Sequence, residues 1–380
     1  MRGLTTSRSA RLLLLAAILG AGLAVLGAAA NTDAALIPAQ VNLPAHPNAP
    51  QYLQVDAKGN VFLLRGDTLD VYTIDRDQVG KPKRLETTMP PDKPTAAAMS
   101  RDASSWALVA SNRVFHFVDG SLQSTPDVGW LVTSVALLRG TPVAGVLPMT
   151  VGQPPLDRPP APPLVMQLKD STWDTLIPGK LPQRSQAHDP MDVLFADHTV
   201  KLTSDEKGRL WATYPYKGRL VRFTATGKPD AVIVLGKGTV RYPADEAERG
   251  KAVREDLHKR GYTSNQATAG AFTAQLALRG LAFGQDGTLY TLLSSSITGG
   301  KTALGRLNPA TASFETTPIE LPGSGELSMA AGREGLYLAT VEGRADVWRV
   351  SWPTLDAATW TEFAEARVSS SLGPSSAGTQ

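Results

Sequence analysis

A pattern of short apolar runs around glycine-containing turns recurs along this chain, and it constrains the fold more than any other feature. In each copy a short apolar run reaches a polar turn, a second run rich in aromatic and β-branched residues follows, and a third run comes after another turn. The copies cover residues 52–75, 97–118, 201–228, 280–308 and 328–352. Such runs predict short antiparallel strands. The glycine after Lys, Asp or Glu supplies the positive φ that a two-residue hairpin turn demands.

The spacing of these turns predicts the number of units. The turn positions Gly59, Ser104, Gly208, Gly287 and Gly335 lie 45, 104, 79 and 48 residues apart. The interval of 104 holds two units, and the turn of the extra unit is Arg139-Gly140 within residues 131–149. The interval of 79 holds one unit and an insertion. Six units of roughly 45–50 residues predict an all-β, six-bladed β-propeller, in which four-stranded antiparallel sheets stand radially around a channel.

Two segments interrupt the repeat. Residues 148–163 are rich in proline, which cannot serve in the interior of a sheet, so they predict a long surface loop within the third blade. Residues 243–261 have a proline near their start, a glycine at their end and the pair Glu255/Lys259 four residues apart, so they predict an exposed helix. A bare propeller requires neither element, and we expect a specific partner to contact one of them.

The N-terminal segment predicts export. Arg2, Arg8 and Arg11 precede an apolar run over residues 12–30, which ends in three alanines. This is the pattern of a secretory signal peptide, which places the body of the protein in the periplasm or outside the cell. The run is long enough to approach a membrane span, so an uncleaved N-terminal anchor is the alternative. Contact with a membrane is expected only through that segment.

The sequence predicts three further regions after the signal. Residues 31–50 are rich in Pro and Ala and predict an extended arm, and residues 51–368 predict the propeller. Residues 369–380 consist largely of Ser, Gly, Pro and Ala, which predicts a disordered tail.

Charge and composition exclude several classes of protein. The net charge of +3 equals the charge of the three N-terminal arginines, so the rest of the chain is formally neutral and lacks the basic field that binds nucleic acid. The chain has no cysteine, so its stability must come from its core. It contains no Gly-x-Ser-x-Gly elbow, no phosphate-binding Gly-x-x-x-x-Gly-Lys-Ser/Thr loop and no His-Glu-x-x-His motif.

Two stretches carry a resemblance to a known group. Residues 208–228 (GRLWATYPYKGRLVRFTATGK) and 59–75 (GNVFLLRGDTLDVYTID) resemble units of the NHL and SMP-30/gluconolactonase-like six-bladed propellers. SMP-30-like enzymes hold a divalent cation at the channel mouth with Glu, Asn and Asp, and virginiamycin B lyase-like enzymes, which share the blade pattern, need His and Glu over magnesium. This chain has Pro50-Gln51-Tyr52 where the former begin with Glu-Gly-Pro, and it has no Asn-Gly pair, which counts against a lactonase.

Propellers place their ligands over the channel, on the face built from loops that enter the innermost strands and join the second and third strands. The residues predicted to bind a ligand there are Gln51, Asn112, Asp197, His198, Lys201, Tyr216, Arg279 and Glu326. Arg65, Tyr214 and Lys217 occupy turns of the same kind. If the protein is a metalloenzyme with altered ligands, Asp197, His198 and Glu326 are the candidates for the metal site.

Other recurrent residue types have structural interpretations. Asp56, Asp102, Asp205 and Asp286 are predicted to accept hydrogen bonds from backbone amides in turns rather than to bind metal. The seven tryptophans are predicted to pack mostly between blades. His116 lies between two phenylalanines and is predicted to point to the opposite side of its strand from them, as an ordinary strand residue and not a base.

The sequence therefore supports two hypotheses of function. The first is an exported, non-catalytic binding module that presents the loop face over its channel to a protein or a small ligand, with no cofactor expected. The alternative is a metal-dependent SMP-30-like hydrolase or lactonase, or a lyase, with altered ligands and a divalent metal. Stoichiometric metal whose removal lowers the melting temperature would favour the alternative.

Overall fold

The described residues form six antiparallel sheets. The structure is a computed structural model. It describes residues 35–44, 50, 52–65, 68–75, 78–81, 83–84, 94–110, 113–123, 125–147, 163–179, 199–205, 207–215, 217–235, 255, 259, 278–294, 302–307, 313–321, 327–340 and 346–369. The predicted six-bladed β-propeller is confirmed.

The first three strands of each blade follow one another in sequence and in space. The innermost strands of blades 1 to 6 are Tyr52–Val55, Ala96–Met99, Leu131–Leu138, Lys201–Ser204, Leu278–Phe283 and Leu327–Ala331. The second strands are Asn60–Arg65, Ser105–Ala110, Thr141–Leu147, Leu210–Tyr214, Leu289–Leu293 and Gly335–Thr340. The third strands are Thr68–Asp75, Arg113–Val118, Pro163–Lys169, Arg219–Phe223, Ala303–Leu307 and Val347–Ser351.

The fourth strands differ more from blade to blade. Blade 1 has only the short pieces Gln78–Val79 and Lys83–Arg84, which both pair with its third strand. Blades 2 to 5 have Ser121–Gln123, Thr172–Pro178, Pro229–Leu235 and Phe314–Pro318. The fourth strand of blade 6 is Ala39–Val41, which comes from the N-terminal side of the ring and pairs with Val347–Arg349.

After the last blade, the chain runs back along the outside of the ring. A short helix, Trp352–Asp356, follows blade 6 and is capped by the hydroxyl of Ser351, which accepts a hydrogen bond from the backbone N–H of Thr354. Thr361–Glu362 then adds a fifth strand to blade 5, and Ala366–Val368 adds one to blade 4. The outer edges of blades 4, 5 and 6 are thus covered by strands that precede blade 1 or follow blade 6 in the sequence.

Six hydrophobic clusters fill the six junctions between neighbouring blades. Each draws buried side chains from two adjacent blades, and together they run around the ring without a break. In the junction that closes the ring, Leu53 and Tyr72 of blade 1 pack with Tyr337 and Val347 of blade 6. Because each buried aliphatic or aromatic side chain contributes about 1.5–3 kcal/mol, apolar packing can hold the ring without disulfides.

The tryptophans belong to these junctions, as predicted. Trp106 stacks on Phe117 with ring centroids 3.8 Å apart, in the junction of blades 1 and 2. Trp211 lies in the junction of blades 4 and 5. Trp348 is buried in the junction of blades 5 and 6, and Trp352 from the short helix packs against the same cluster.

The turns between first and second strands follow the predicted positions but not always the predicted length. Arg139-Gly140 is a two-residue hairpin with positive φ at both residues, as expected. In blades 1 and 4 the prediction of two-residue turns is wrong, because the chain turns over four residues, with the N–H of Gly59 donating to the carbonyl of Asp56 and the N–H of Gly208 to that of Asp205. An aspartate thus starts the turn and a glycine with positive φ ends it.

Several predicted segments lie largely outside the described residues. These are the signal or anchor at residues 1–30, the Pro-rich loop at 148–163 except Pro163, the tail at 369–380 except Ser369, and the helix at 243–261. Within that helix Glu255 and Lys259 are described, and both are helical and exposed. None of the described helical segments is long and apolar enough to cross a membrane.

Candidate functional site

A cavity of about 460 Å³ lies where the six innermost strands meet. Its wall takes residues from every one of these strands, from Tyr52 in blade 1 to Ala331 in blade 6. Pockets that bind small molecules have volumes of about 300–1,000 Å³. The channel is therefore large enough to receive a small organic ligand.

The innermost strand of each blade pairs on one side only, so its other edge faces the channel. Side chains from neighbouring blades satisfy two backbone donors of this edge. The N–H of Leu53 donates to the hydroxyl of Ser328 in blade 6 at 3.0 Å, and the N–H of Met99 donates to the hydroxyl of Tyr52 in blade 1 at 3.1 Å. These hydrogen bonds join neighbouring blades at the channel wall and hold the innermost strands in place.

Two cationic side chains line the cavity near one end. Lys201 is the first residue of the innermost strand of blade 4, and Arg279 is the second residue of that strand in blade 5. Both are half-buried, and burial lowers the pKa of Arg279.

The junction of blades 4 and 5 differs from the other five at the channel. Elsewhere the innermost strands of neighbouring blades pack against each other, whereas the innermost strand of blade 5 meets blade 4 mainly at that blade's second strand, Leu210–Tyr214. Lys201 pairs with Thr213 across the two strands, so both side chains lie on one face of blade 4. Trp211 lies on the same face and packs in the junction with blade 5. The junction therefore forms a recess in the channel wall, with Lys201 and Thr213 on one side of it.

Thr213 contributes an unsatisfied hydroxyl to this recess. Its side chain is 3% exposed and lines the cavity. Its Oγ1 has no hydrogen-bond partner within the part of the chain that the structure describes. A buried polar group without a partner costs about 1–3 kcal/mol, and a ligand in the cavity can supply that partner.

Local backbone geometry positions Arg279 near the start of the innermost strand of blade 5. The N–H of Leu278 donates to the carbonyl of Pro215 at 3.0 Å, which ties the start of this strand to blade 4. The pairing register then shifts between Leu278 and Leu281, and the hydroxyl of Thr291 donates to the carbonyl of Gly280 at 2.6 Å. Bulges of this kind re-aim side chains next to functional sites. Here the residues inside the bulge are Arg279 and Gly280.

The turn after Thr213 carries two more polar side chains behind the recess. Burial, with a smaller effect from the charge of Arg219, lowers the pKa of Lys217. Burial raises the pKa of Tyr214, whose ring lies 5.5 Å from the guanidinium of Arg219. Lys217 and Tyr214 are not part of the described cavity wall.

The other end of the innermost strands carries the four repeated aspartates. One carboxylate oxygen of Asp56 accepts from the N–H groups of Lys58 and Asn60 at 2.9 and 2.8 Å. The carboxylates of Asp102, Asp205 and Asp286 likewise accept from backbone amides of their own turns. The hydroxyls of Ser100 and Ser104 lower the pKa of Asp102 to about 2. The prediction that these aspartates are turn residues is confirmed.

The structure describes two of the eight residues predicted to bind a ligand, Lys201 and Arg279, and both line the cavity on neighbouring blades. The other six lie outside the described residues: Gln51, Asn112, Asp197, His198, Tyr216 and Glu326. Arg65, from a turn of the same kind, is completely buried, and its Nη1 donates to the hydroxyl of Tyr72 at 2.7 Å instead of reaching the cavity wall. Sequence reasoning missed Thr213, whose role depends on how blade 5 meets blade 4.

The described residues include no cluster of three or more His, Asp or Glu side chains that could hold a metal ion. The predicted metal candidates, Asp197, His198 and Glu326, are all outside the described part of the chain. His116 is described, and it lies on the opposite side of its strand from the buried Phe117, as predicted. Its Nε2 is 3.0 Å from the hydroxyl of Ser105, which also donates to the carbonyl of Gly140 in blade 3.

Comparison with known proteins gives distant structural similarity. No family model and no curated protein matches the chain. A streptogramin B lyase structure is 16% identical over 85% of each chain, with a TM-score of 0.46. Virginiamycin B lyase from Staphylococcus aureus is 13% identical over 82% of this chain and 98% of that chain, with a TM-score of 0.42. A protein of unknown function from Bacteroides thetaiotaomicron is 11% identical over 82% of this chain and 73% of that chain, with a TM-score of 0.45.

Proposed function

We propose that this protein is an exported, non-catalytic β-propeller that binds a small ligand in its central channel. The observation that carries the proposal is the cavity of about 460 Å³ whose wall includes all six innermost strands. Because each strand belongs to a blade that is packed on both sides, the site is built on a rigid ring and needs no closing movement to form.

The chemistry of the cavity wall supports binding rather than catalysis. Gln54, Thr203 and Ser328 offer neutral polar groups. Four cationic side chains offer charged donors, Lys201 and Arg279 near one end and Arg101 and Arg139 near the other. The described wall contains no histidine, and the carboxylates of Asp56 and Asp205 already accept hydrogen bonds within their turns. This set can orient a ligand but pairs no nucleophile with a base among the described residues.

Export is the part of the proposal that rests on sequence. Residues 1–30 have the charged start, apolar run and small residues of a signal peptide. N-terminal sequencing of protein recovered from the periplasm or the medium should begin at Asn31. Recovery only in the cytoplasmic fraction, with Met1 or Arg2 at the N-terminus, would show that the segment does not direct export.

Filling the channel tests the binding proposal. In Thr203→Trp, a large side chain enters the recess side of the cavity. Thr316→Trp places the same side chain on the outer strand of blade 5, where the wild-type residue is equally half-buried but away from the cavity. The ligand probe is a panel of small carboxylates, phosphate esters, sugars and amines, and the readout is the melting temperature followed by calorimetric titration.

We expect at least one compound of the panel to stabilise the wild type and Thr316→Trp but not Thr203→Trp, because binding to the native state raises its stability. Circular dichroism checks that both variants are folded. If no class of compound binds the wild type, or if Thr203→Trp binds as well as Thr316→Trp, the channel is not a ligand site.

A further inference from the structure

We infer that the recess between blades 4 and 5 is an oxyanion site, where Lys201, Thr213 and Arg279 hold a carboxylate or phosphate group of the ligand. This inference rests on the proposed function, since it names the chemistry of the ligand that the channel takes. It is carried by the unsatisfied hydroxyl of Thr213 together with the two cations that line the same cavity, one of which, Lys201, pairs with Thr213 across the strands.

Thr213 points to a ligand because its buried hydroxyl would gain a hydrogen-bond partner from one. The side chain is 97% buried, and it faces the cavity on the same side of blade 4 as Lys201, its partner across the strands. No group in the described part of the chain bonds to its Oγ1. A hydroxyl is a neutral donor that fits a negatively charged oxygen, and hydrogen bonds to a charged group are about twice as strong as neutral ones.

Lys201 and Arg279 set the sign of the charge that the recess favours. They come from different blades and line the cavity near the ends of blades 4 and 5 where their innermost strands begin. A guanidinium presents a planar fork of donors that matches a carboxylate or a phosphate, and an ammonium adds a compact positive charge. Together with Thr213 they offer donors to an oxyanion from two blades.

The backbone around Arg279 shows how the fold prepares this placement. The bulge between Leu278 and Leu281 is held on one side by the carbonyl of Pro215 and on the other by the hydroxyl of Thr291. Gly280 allows the strand to approach blade 6, because a Cβ there would lie 3.2 Å from the Cβ of Met329. The backbone on either side of Arg279 is thus held by contacts with both neighbouring blades.

The two aspartates of the described cavity wall lie away from the end of the cavity that Lys201 and Arg279 line. Asp56 and Asp205 belong to the turns at the opposite end of the innermost strands. Asp205 also accepts from Nε of Arg209 at 2.6 Å and from the indole N–H of Trp211 at 3.1 Å. The carboxylates at that end of the cavity are therefore engaged within their own turns, and Arg101 and Arg139 line the same end.

The test uses Thr213→Val, which removes the hydroxyl and keeps the shape of the side chain. Thr317→Val is the matched control, because Thr317 is 2% exposed but lies on the fourth strand of blade 5 and not in the cavity wall. The probes are inorganic phosphate and acetate, each titrated by calorimetry at constant ionic strength into the full-length protein. Lys201→Met and Arg279→Met test the two charges.

Without a ligand, Thr213→Val should melt at or above the temperature of the wild type, because no described hydrogen bond is lost. Thr291→Val, which loses the bond to the carbonyl of Gly280, should melt lower. With phosphate or acetate we expect saturable one-site binding to the wild type and to Thr317→Val. The affinity should be at least about tenfold weaker in Thr213→Val, given the strength of a hydrogen bond to a charged group, and weaker still in the charge variants.

Equal affinity of Thr213→Val and the wild type, no saturable binding of either anion to the wild type, or a lowered melting temperature of ligand-free Thr213→Val would each overturn the inference. If sugars or amines of the wider panel bind in a way that Thr203→Trp blocks but Thr213→Val does not change, the oxyanion site is wrong while the channel remains a ligand site. If nothing binds at all, both proposals fail together.

Discussion

The hydroxyl of Ser328 in blade 6 accepts a hydrogen bond at 3.0 Å from the backbone N–H of Leu53 in blade 1, although the two residues are 275 positions apart in the sequence. Both lie on innermost strands, and the bond spans the junction where the ring closes. Ala39–Val41 adds a second link across the same region, because it precedes blade 1 in the chain but completes the sheet of blade 6. The ring is thus closed both at its channel and at its outer rim.

Replacing Ser328 tests the closure at the channel. Ser328→Ala removes the acceptor for the N–H of Leu53, and we expect the free energy of unfolding to fall by about 1 kcal/mol, the usual net contribution of such a hydrogen bond. The measurement is urea unfolding followed by tryptophan fluorescence. Ser121→Ala is the control, since Ser121 is exposed on the edge strand of blade 2. Equal stability of the two variants would mean that the bond contributes nothing to closure.

A close contact between blades 3 and 4 gives a second prediction. Gly227 has a φ of +75°, and a Cβ there would lie 2.1 Å from the carbonyl oxygen of Leu176. Gly120 has a φ of +78°, but a Cβ would meet nothing within 4 Å. Gly120→Ala should therefore cost only the conformational penalty of about 1 kcal/mol, and Gly227→Ala about 2–4 kcal/mol in unfolding free energy.

Both glycine variants can be compared in one series of denaturant melts, because their backbone conformations are nearly the same. The difference between them isolates the steric contact with Leu176. If Gly227→Ala were no less stable than Gly120→Ala, blade 3 would not approach blade 4 as closely as the structure has it.

The propeller was predictable because the same local sequence pattern recurs in each blade. An Asp or Gly marks the turn between first and second strands, as at Asp56 and Gly59, and apolar residues fill strands that are buried on both faces. These are short-range signals, and they suffice to count six blades. The N-terminal strand Ala39–Val41 carries no such signal, because it is a strand only by pairing with Val347–Arg349, some 300 residues away.

The candidate site was predictable only in part, for the same reason. Lys201 and Arg279 were found because both stand at the start of innermost strands, a position that the repeat reveals. The importance of Thr213 depends on two facts absent from its own blade: the wider junction with blade 5 and the lack of a described partner for its hydroxyl. Arg65 occupies an equivalent turn yet is buried against Tyr72, since its direction is set by packing between blades.

His116 predicts a pH dependence of stability. Burial lowers its pKa below 6.5, an effect that the carbonyl of Gly140 partly offsets. Since the folded protein holds the proton less tightly than the unfolded chain, the stabilisation is complete above about pH 6.5 and is lost as the pH falls from there toward the folded pKa. Unfolding free energies measured between pH 8 and pH 5 should decline less steeply in His116→Gln than in the wild type.

The comparison of slopes isolates His116, because the four other histidines and the carboxylates are present in both proteins. A histidine titration by NMR provides an independent value for the same group. A folded pKa above 6.5, or identical slopes in the two proteins, would contradict the prediction.

Removal of divalent metal separates the binding module from the metalloenzyme alternative. The described residues hold no cluster of metal-ligating side chains. The proposed ligand contacts come from Lys201 and Arg279, which repel a cation, and from the neutral Thr213. We therefore expect treatment with EDTA to leave the melting temperature and the binding of phosphate or acetate unchanged, and metal analysis of the purified protein to find less than stoichiometric calcium, magnesium and zinc.

A drop in melting temperature that is reversed when one of these ions is added back would instead favour a metal site. Substitution of Asp197, His198 and Glu326 by Ala would then show whether those three residues form it, since only ligands of the metal would abolish the recovery.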